Sequence, residues 1–149
     1  MKKEIYMKKI LIALLILSTQ QTFAACQSNS KTVFSCTTNN NKVVQVCDAG
    51  KTIQYSFGKS GQTPELAVSV ARDRVTTYQW EGIGRYENYA INIPNGKTIY
   101  RVNSSIDKNA QEYAAGVEVN SNDRTLATVQ CNMQKKVIDN LEGIKLRRE

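Results

Sequence analysis

TIQYSF, at residues 52–57, alternates polar and apolar side chains, so its three large apolar side chains share one face. An alternation with a period of two indicates a β-strand that buries one face. The same alternation recurs at residues 66–70 and 89–93. Several short segments of this kind predict an all-β fold built on antiparallel sheets.

Turn-forming residues separate these segments at the spacing expected of hairpins, with clusters at residues 39–41, 48–50, 58–64 and 94–96. The order predicts a meander of short strands near residues 32–38, 42–48, 51–57, 65–71, 76–82, 85–93, 97–104, 115–120 and 124–132. We expect a small antiparallel barrel or sandwich, because either arrangement removes exposed sheet edges.

Two segments favour helix over strand. Residues 107–115, DKNAQEYAA, carry helix-favouring side chains between an Asp107 cap and Gly116, which predicts a helix of about two turns. The tail over residues 135–146 has apolar side chains at near-helical spacing and is predicted to form a short helix or an added strand.

The N-terminal segment has the layout of a secretory signal. Lys8 and Lys9 precede an unbroken apolar run over residues 10–17, which is too short to span a membrane. We predict a signal peptide over residues 1–24, whichever of the two early methionines starts the chain. The protein is therefore expected in the periplasm or outside the cell.

The remaining residues, 25–149, are enough for one domain. Cleavage after Ala24 leaves Ala25 as the first residue. The alternative is lipoprotein processing at Cys26, which would place the protein on the outer membrane.

The predicted signal contains four of the 20 basic residues and one of the 13 acidic residues. The mature chain therefore has 16 basic and 12 acidic residues, and its net charge falls from +7 to +4. A charge of this size suits an acidic partner, although solubility explains it equally well.

Four cysteines in an exported chain predict two disulfides, for which three pairings exist. Strand parity places Cys36 on the face of Phe34 and Cys131 on the face of Val129, so both point toward the core. We therefore predict a bond between Cys36 and Cys131, and a second between Cys26 and Cys47 that fixes the N-terminal arm. If Cys26 carries a lipid, Cys47 is left free or paired otherwise.

The chain lacks histidine, which excludes Ser-His-Asp and Cys-His catalytic sites. With its cysteines oxidised it offers no thiolate, and Gly82-Ile83-Gly84 lacks the third glycine of a nucleotide loop. We expect no metal, no cofactor and no enzymatic activity. A small hydrolase that uses two carboxylates, either Glu81 with Glu87 or Glu112 with Glu118, is the less favoured alternative.

The segment over residues 78–89 is the densest in distinctive side chains, because it contains the only tryptophan, three tyrosines and an arginine. Aromatic and arginine side chains are enriched at protein–protein contacts. An alternative is that Trp80 and Tyr89 are core residues of adjacent strands. Export makes a nucleic-acid partner unexpected. The candidate residues for binding a protein partner are Trp80, Gly84, Arg85, Tyr86, Glu87 and Lys97.

The run Gly84-Arg85-Tyr86-Glu87 resembles the loop of the membrane-bound lysozyme inhibitors of the C-type family. The resemblance implies a small disulfide-bonded antiparallel barrel and a loop that enters the lysozyme cleft. It also implies a downstream lysine at the catalytic acids, which by position is Lys97. The serine of the family loop is absent here, where Gly82 and Ile83 stand. The cysteine-bearing segments also resemble small uncharacterised exported proteins of Gram-negative bacteria, which implies no function.

These observations favour an exported binding protein that blocks an enzyme acting on the cell envelope. Two versions fit, an inhibitor of lysozyme and an immunity protein against a toxin, and in both we expect Arg85 and Tyr86 to form the contact. The alternative is a structural or accessory envelope protein or lipoprotein without an enzyme target.

Overall fold

A computed structural model of the protein describes residues 26–149. The predicted signal peptide, its cleavage site and the choice of start codon lie outside these residues. Nine strands of four or more residues follow one another: β1 (Lys31–Thr37), β2 (Lys42–Asp48), β3 (Thr52–Lys59), β4 (Leu66–Ala71), β5 (Thr76–Gln79), β6 (Tyr86–Asn95), β7 (Thr98–Asp107), β8 (Glu112–Ser121) and β9 (Arg124–Gln130). Two short strands, β10 (Ile138–Asp139) and β11 (Arg147–Arg148), complete the set. The all-β prediction is confirmed.

The strands form two sheets, with the orders β10-β1-β2-β3-β4 and β11-β5-β6-β7-β8-β9. Within each sheet the long strands pair antiparallel with their neighbours in sequence, as a meander requires. The two sheets are not closed on one another. The end of β1 meets the end of β9 at an isolated β-bridge between Thr38 and Cys131.

The core lies between the two sheets and is built from the apolar members of the alternating strands. Phe34, Ile53 and Ile91 are completely buried there. Tyr55 of β3 stacks on Tyr100 of β7 with ring centroids 5.0 Å apart, which joins the two sheets through an aromatic pair. The apolar residues of the alternating segments are therefore the ones that are buried.

Both predicted disulfides are confirmed. Cys36 bonds to Cys131 across 95 residues of sequence, and Cys26 bonds to Cys47 across 21. Cys36 and Cys131 are buried at the corner where the sheets meet. The Cys26 sulfur is thus used in a disulfide, whereas the lipidated alternative requires that sulfur for a thioether. Paired cysteines of this kind are typical of proteins that fold in an oxidising compartment.

The helix predicted at residues 107–115 is wrong. Asp107 does cap a turn, since its carboxylate accepts hydrogen bonds from the backbone N–H groups of Asn109 and Ala110. The chain then reverses through Gln111, whose φ is +56°, and continues as strand β8. Asp107 therefore starts a four-residue hairpin loop, closed by the Gln111 N–H donating to the Asp107 carbonyl, rather than a helix. Over residues 26–149 the one helical element is a 3₁₀ turn at Arg72–Arg74.

The C-terminal tail neither forms a helix nor adds a single long strand. Its first part pairs with β1 through β10, and its last part pairs in parallel with β5 through β11. Between them Leu141 is completely buried, and the Gln79 side chain holds the tail by donating to the Leu141 carbonyl (2.9 Å) and accepting from the Gly143 N–H (2.7 Å). The tail thus connects one sheet to the other.

Because the strands alternate in direction, the connections gather at two ends. The apical end carries the β1–β2, β3–β4, β5–β6 and β7–β8 connections, and the basal end carries the β2–β3, β6–β7 and β8–β9 turns with the 3₁₀ turn. A ten-residue strand such as β6 separates the ends by roughly 30 Å. Among the described residues no helix has the length and apolar character to cross a membrane.

Candidate functional site

The apical loop, residues 80–86, connects β5 to β6 and contains most of the predicted site residues. Gly82 and Gly84 adopt φ values of +86° and +96°, which a residue with a side chain rarely takes. The two glycines turn the chain sharply on either side of Ile83. Ile83 is consequently displayed at the tip with 84% of its surface exposed.

Trp80 closes the base of the apical loop. Its indole N–H donates to the carbonyl oxygen of Ile83 at 2.9 Å, and the Lys108 ammonium lies 4.5 Å from the centre of its ring. Trp80 is half-buried and follows the end of β5, so it is not a core residue of a strand. Tyr89, by contrast, packs against the core from β6. The indole therefore fixes the loop tip instead of standing free as a contact.

Arg85 is bound to Asp107 by two parallel hydrogen bonds, Nε to Oδ1 at 2.9 Å and Nη2 to Oδ2 at 2.5 Å. Paired bonds of this geometry restrict the guanidinium in position and orientation. The Arg85 carbonyl also accepts the N–H of Lys108. The apical loop is thus attached to the β7–β8 connection along its C-terminal half. Half of the Arg85 side chain (52%) remains exposed.

Tyr86 lies beside this pair, with its ring centre 5.3 Å from the Arg85 guanidinium carbon, and 49% of its surface is exposed. Ile83 and Tyr86 are therefore two exposed large apolar side chains only three residues apart. Glu87 points elsewhere, because it is half-buried and accepts a hydrogen bond from the Tyr89 hydroxyl at 3.0 Å. Burial, with this bond, raises the pKa of Tyr89 above its usual value.

Lys97 is not part of the apical surface. It lies in the turn after β6, at the basal end, whereas Arg85 directly precedes β6. The length of β6 keeps the two cations roughly 30 Å apart. The downstream lysine that the family resemblance implied therefore cannot act together with Arg85 and Tyr86.

The carboxylate pairs suggested by the sequence are also kept apart or engaged elsewhere. Glu112 and Glu118 lie six residues apart along β8, a distance of roughly 20 Å, while paired catalytic carboxylates lie within roughly 10 Å. Glu81 forms an ion pair with Arg148 at 3.1 Å. A groove of about 330 Å³ beside Trp80 is lined by one carboxylate, that of Glu142. Within residues 26–149 no cluster of three metal-ligating side chains occurs.

Sequence reasoning missed two residues of this surface. Ile83 stands in the sequence within Gly82-Ile83-Gly84, where the two glycines indicate a sharp bend but nothing indicates that the isoleucine is exposed. Asp107 was assigned to a helix cap, and nothing in the sequence links it to Arg85, which lies 22 residues earlier.

No protein-family model matches the chain, and neither a curated protein nor a solved structure matches it. The geometry of the apical loop is therefore the observation on which a functional proposal rests.

The Arg85 hydrogen bonds, against the effect of desolvation, lower the pKa of Asp107 to about 2 from its ordinary 3.8. A carboxyl with a lowered folded-state pKa stabilises the folded form above its unfolded pKa and loses that contribution as the pH falls through its folded pKa. We expect the apical loop to keep its conformation from neutral pH down to about pH 3 and to open as the pH falls through about 2. Fluorescence of Trp80, the only tryptophan, reports this opening.

The control is Asp107→Asn, which keeps the side-chain size and removes the charge. Its fluorescence should already resemble the acid form at neutral pH and should show no step near pH 2. Far-UV circular dichroism separates loop opening from global unfolding. Identical pH profiles for the two proteins would show that Asp107 does not hold the loop.

Proposed function

We propose that this protein is an exported binding protein of the cell envelope that blocks an envelope-acting enzyme with its apical loop. The observation that carries the proposal is Ile83, exposed at 84% on a loop fixed by Trp80 and by the Arg85–Asp107 pair. An apolar side chain held in this way loses little conformational entropy on binding. An exposed tip of this shape fits a concave target, such as the cleft of an enzyme.

The side chains around the tip support the same proposal. Tyr86 adds an exposed aromatic ring, and Arg85 adds a guanidinium whose outer edge faces solvent. Tyrosine and arginine are the residue types that most often dominate binding energy at protein interfaces. We assign Ile83 and Tyr86 to the contact itself and Arg85 chiefly to holding them in place, which refines the expectation that Arg85 and Tyr86 form the contact.

The target is proposed to be either a lysozyme or a toxin delivered into the periplasm. The two disulfides suit a scaffold that must survive outside the cytoplasm, and the loop is similar in sequence to that of the C-type lysozyme inhibitors. An accessory envelope protein without an enzyme target remains the alternative, and a carboxylate-dependent hydrolase a less favoured one.

The test replaces both contact residues, Ile83→Ser with Tyr86→Ala, and measures inhibition of C-type lysozyme in a lytic assay. In parallel, enzymes that cross-link to the parent protein in periplasmic extract are identified, and the affinity of each variant for them is measured. We expect the affinity for the target to fall roughly a thousandfold, because truncating a residue at the centre of an interface costs about 2 kcal/mol or more, which is roughly thirtyfold for each of the two.

The matched control is Ile99→Ser, the same substitution at an isoleucine that is 42% exposed at the basal start of β7. It should leave the affinity unchanged. If the double variant binds every captured enzyme as tightly as the parent protein, the loop assignment is wrong. Capture of membrane scaffold proteins alone would favour the accessory role.

A further inference from the structure

The basal end carries a group of cations that the proposed function does not use. Three distant parts of the chain contribute to it: the β2–β3 turn, the 3₁₀ turn and the C-terminal tail. We name this group the basal cationic surface, and it consists of Lys51, Arg72, Arg74, Lys145 and Arg147.

Contacts around Arg72 bring these segments together. Its backbone N–H donates to the Lys51 carbonyl at 3.0 Å, and its guanidinium donates to the Lys145 carbonyl at 2.9 Å. Lys51, Arg72, Lys145 and Arg147 line one open depression. The fold therefore holds four cationic side chains around a shared, broad and accessible surface.

Little negative charge opposes them. Asp48 forms an ion pair with Arg72, and Asp73 is exposed in the 3₁₀ turn. Of the acidic residues in the tail, Glu149 is paired with Arg101 and Glu142 lies beside Trp80, toward the apical loop. Over residues 26–149, Lys51, Arg74, Lys145 and Arg147 form no ion pair. The apical end differs, since its Arg85 is paired with Asp107 and its Lys42 with Glu65. Its lysines without an ion pair in the described part of the chain, Lys59, Lys108, Lys135 and Lys136, are matched in number by four acidic residues, Glu81, Glu87, Glu112 and Glu142. The molecule is consequently polarised, with excess positive charge at its basal end.

We propose that the basal cationic surface binds the phosphate groups of an anionic phospholipid membrane and so holds the protein with its apical loop facing away from the lipid. A broad surface of separate cations matches a plane of many phosphates better than a single small anion, which an enclosed pocket would bind. Each cation near an anionic surface adds to the attraction, and the attraction weakens with added salt. The inference does not depend on the identity of the apical partner.

The test is cosedimentation of the processed, oxidised protein with vesicles of phosphatidylglycerol and phosphatidylcholine, with pure phosphatidylcholine vesicles in parallel. A basal variant carries Lys51→Gln, Lys145→Gln and Arg147→Gln. A matched apical variant carries Lys59→Gln, Lys135→Gln and Lys136→Gln, which removes the same number of charges. All six side chains are on exposed residues, so both variants should fold.

We expect the parent protein to bind the anionic vesicles alone, and the basal variant to bind them about a hundredfold more weakly. The apical variant should lose less than about threefold, as expected for charges on the distant end. Equal losses in both variants would overturn the proposal, because they would reflect net charge only. So would failure of the parent to bind vesicles, or binding to soluble polyphosphate without binding to vesicles.

Discussion

Replacing Cys36 and Cys131 together with alanine is expected to lower the free energy of unfolding by about 4–5 kcal/mol, which is a large part of the roughly 5–15 kcal/mol typical of a folded protein. The bond closes a loop of 95 residues, so its loss releases a large amount of chain entropy in the unfolded state. It also frees the corner where β1 and β9 meet, which has an isolated bridge and no continuous ladder. Urea unfolding followed by circular dichroism measures the change.

The matched control is the double replacement of Cys26 and Cys47 with alanine. Its loop is 21 residues long, and the same model gives about 3 kcal/mol for a loop of that length. Residues 27–29 of the N-terminal arm are exposed, so the structure around the arm should persist. The prediction is contradicted if removing the Cys26–Cys47 bond lowers the free energy of unfolding more than removing the Cys36–Cys131 bond does.

Leu141→Ala is expected to lower the free energy of unfolding by about 2–5 kcal/mol, although Leu141 lies in a tail with almost no regular structure. The side chain is completely buried, and its removal leaves a cavity in the core that both sheets share. The adjacent backbone is fixed by Gln79, so the tail cannot easily move inward to fill the space. Thermal or urea unfolding measures the loss.

Leu126→Ala provides a direct comparison, because it is the same substitution at a leucine that is 65% exposed on β9. We expect a change within about 0.5 kcal/mol there. Comparable losses of stability at the two positions would mean that the Leu141 side chain is not packed in the core between the sheets.

The strands could be predicted from the sequence because one repeating constraint governs each of them. A strand with one buried face places apolar residues at every second position, and residues 52–57 do so without interruption. The same parity identified Cys36 and Cys131 as partners, since two inward-facing cysteines on the first and last long strands of a meander meet where the sheets approach. Local rules and the fold agree at these positions.

The tail and the β7–β8 connection could not be predicted, for physical reasons that differ. At residues 107–115 the local preference for helix is real, but β7 and β8 gain more from pairing with one another over their full length of ten residues each. In the tail, the apolar residues near Leu141 fit a helix in spacing, yet they fill an irregular space between sheets. No local pattern encodes the shape of that space.

The candidate site was located by composition and not by geometry. Aromatic and arginine residues concentrated in residues 78–89 pointed to the apical loop as a candidate, but the contacts of each residue within it depend on distant parts of the chain. Arg85 reaches Asp107 and Arg148 reaches Glu81, while Lys97 is carried to the other end by β6. Such assignments require the register of the sheets, which the sequence alone does not supply.

The C-terminal tail has a consequence for the order of folding. β10 and β11 are the last strands to be synthesised, yet each completes the edge of a different sheet, and Cys131 must find a partner 95 residues earlier. Contacts between such distant parts of a chain form slowly. The two sheets and the long disulfide therefore cannot all be completed until residues 131–148 are free to pair.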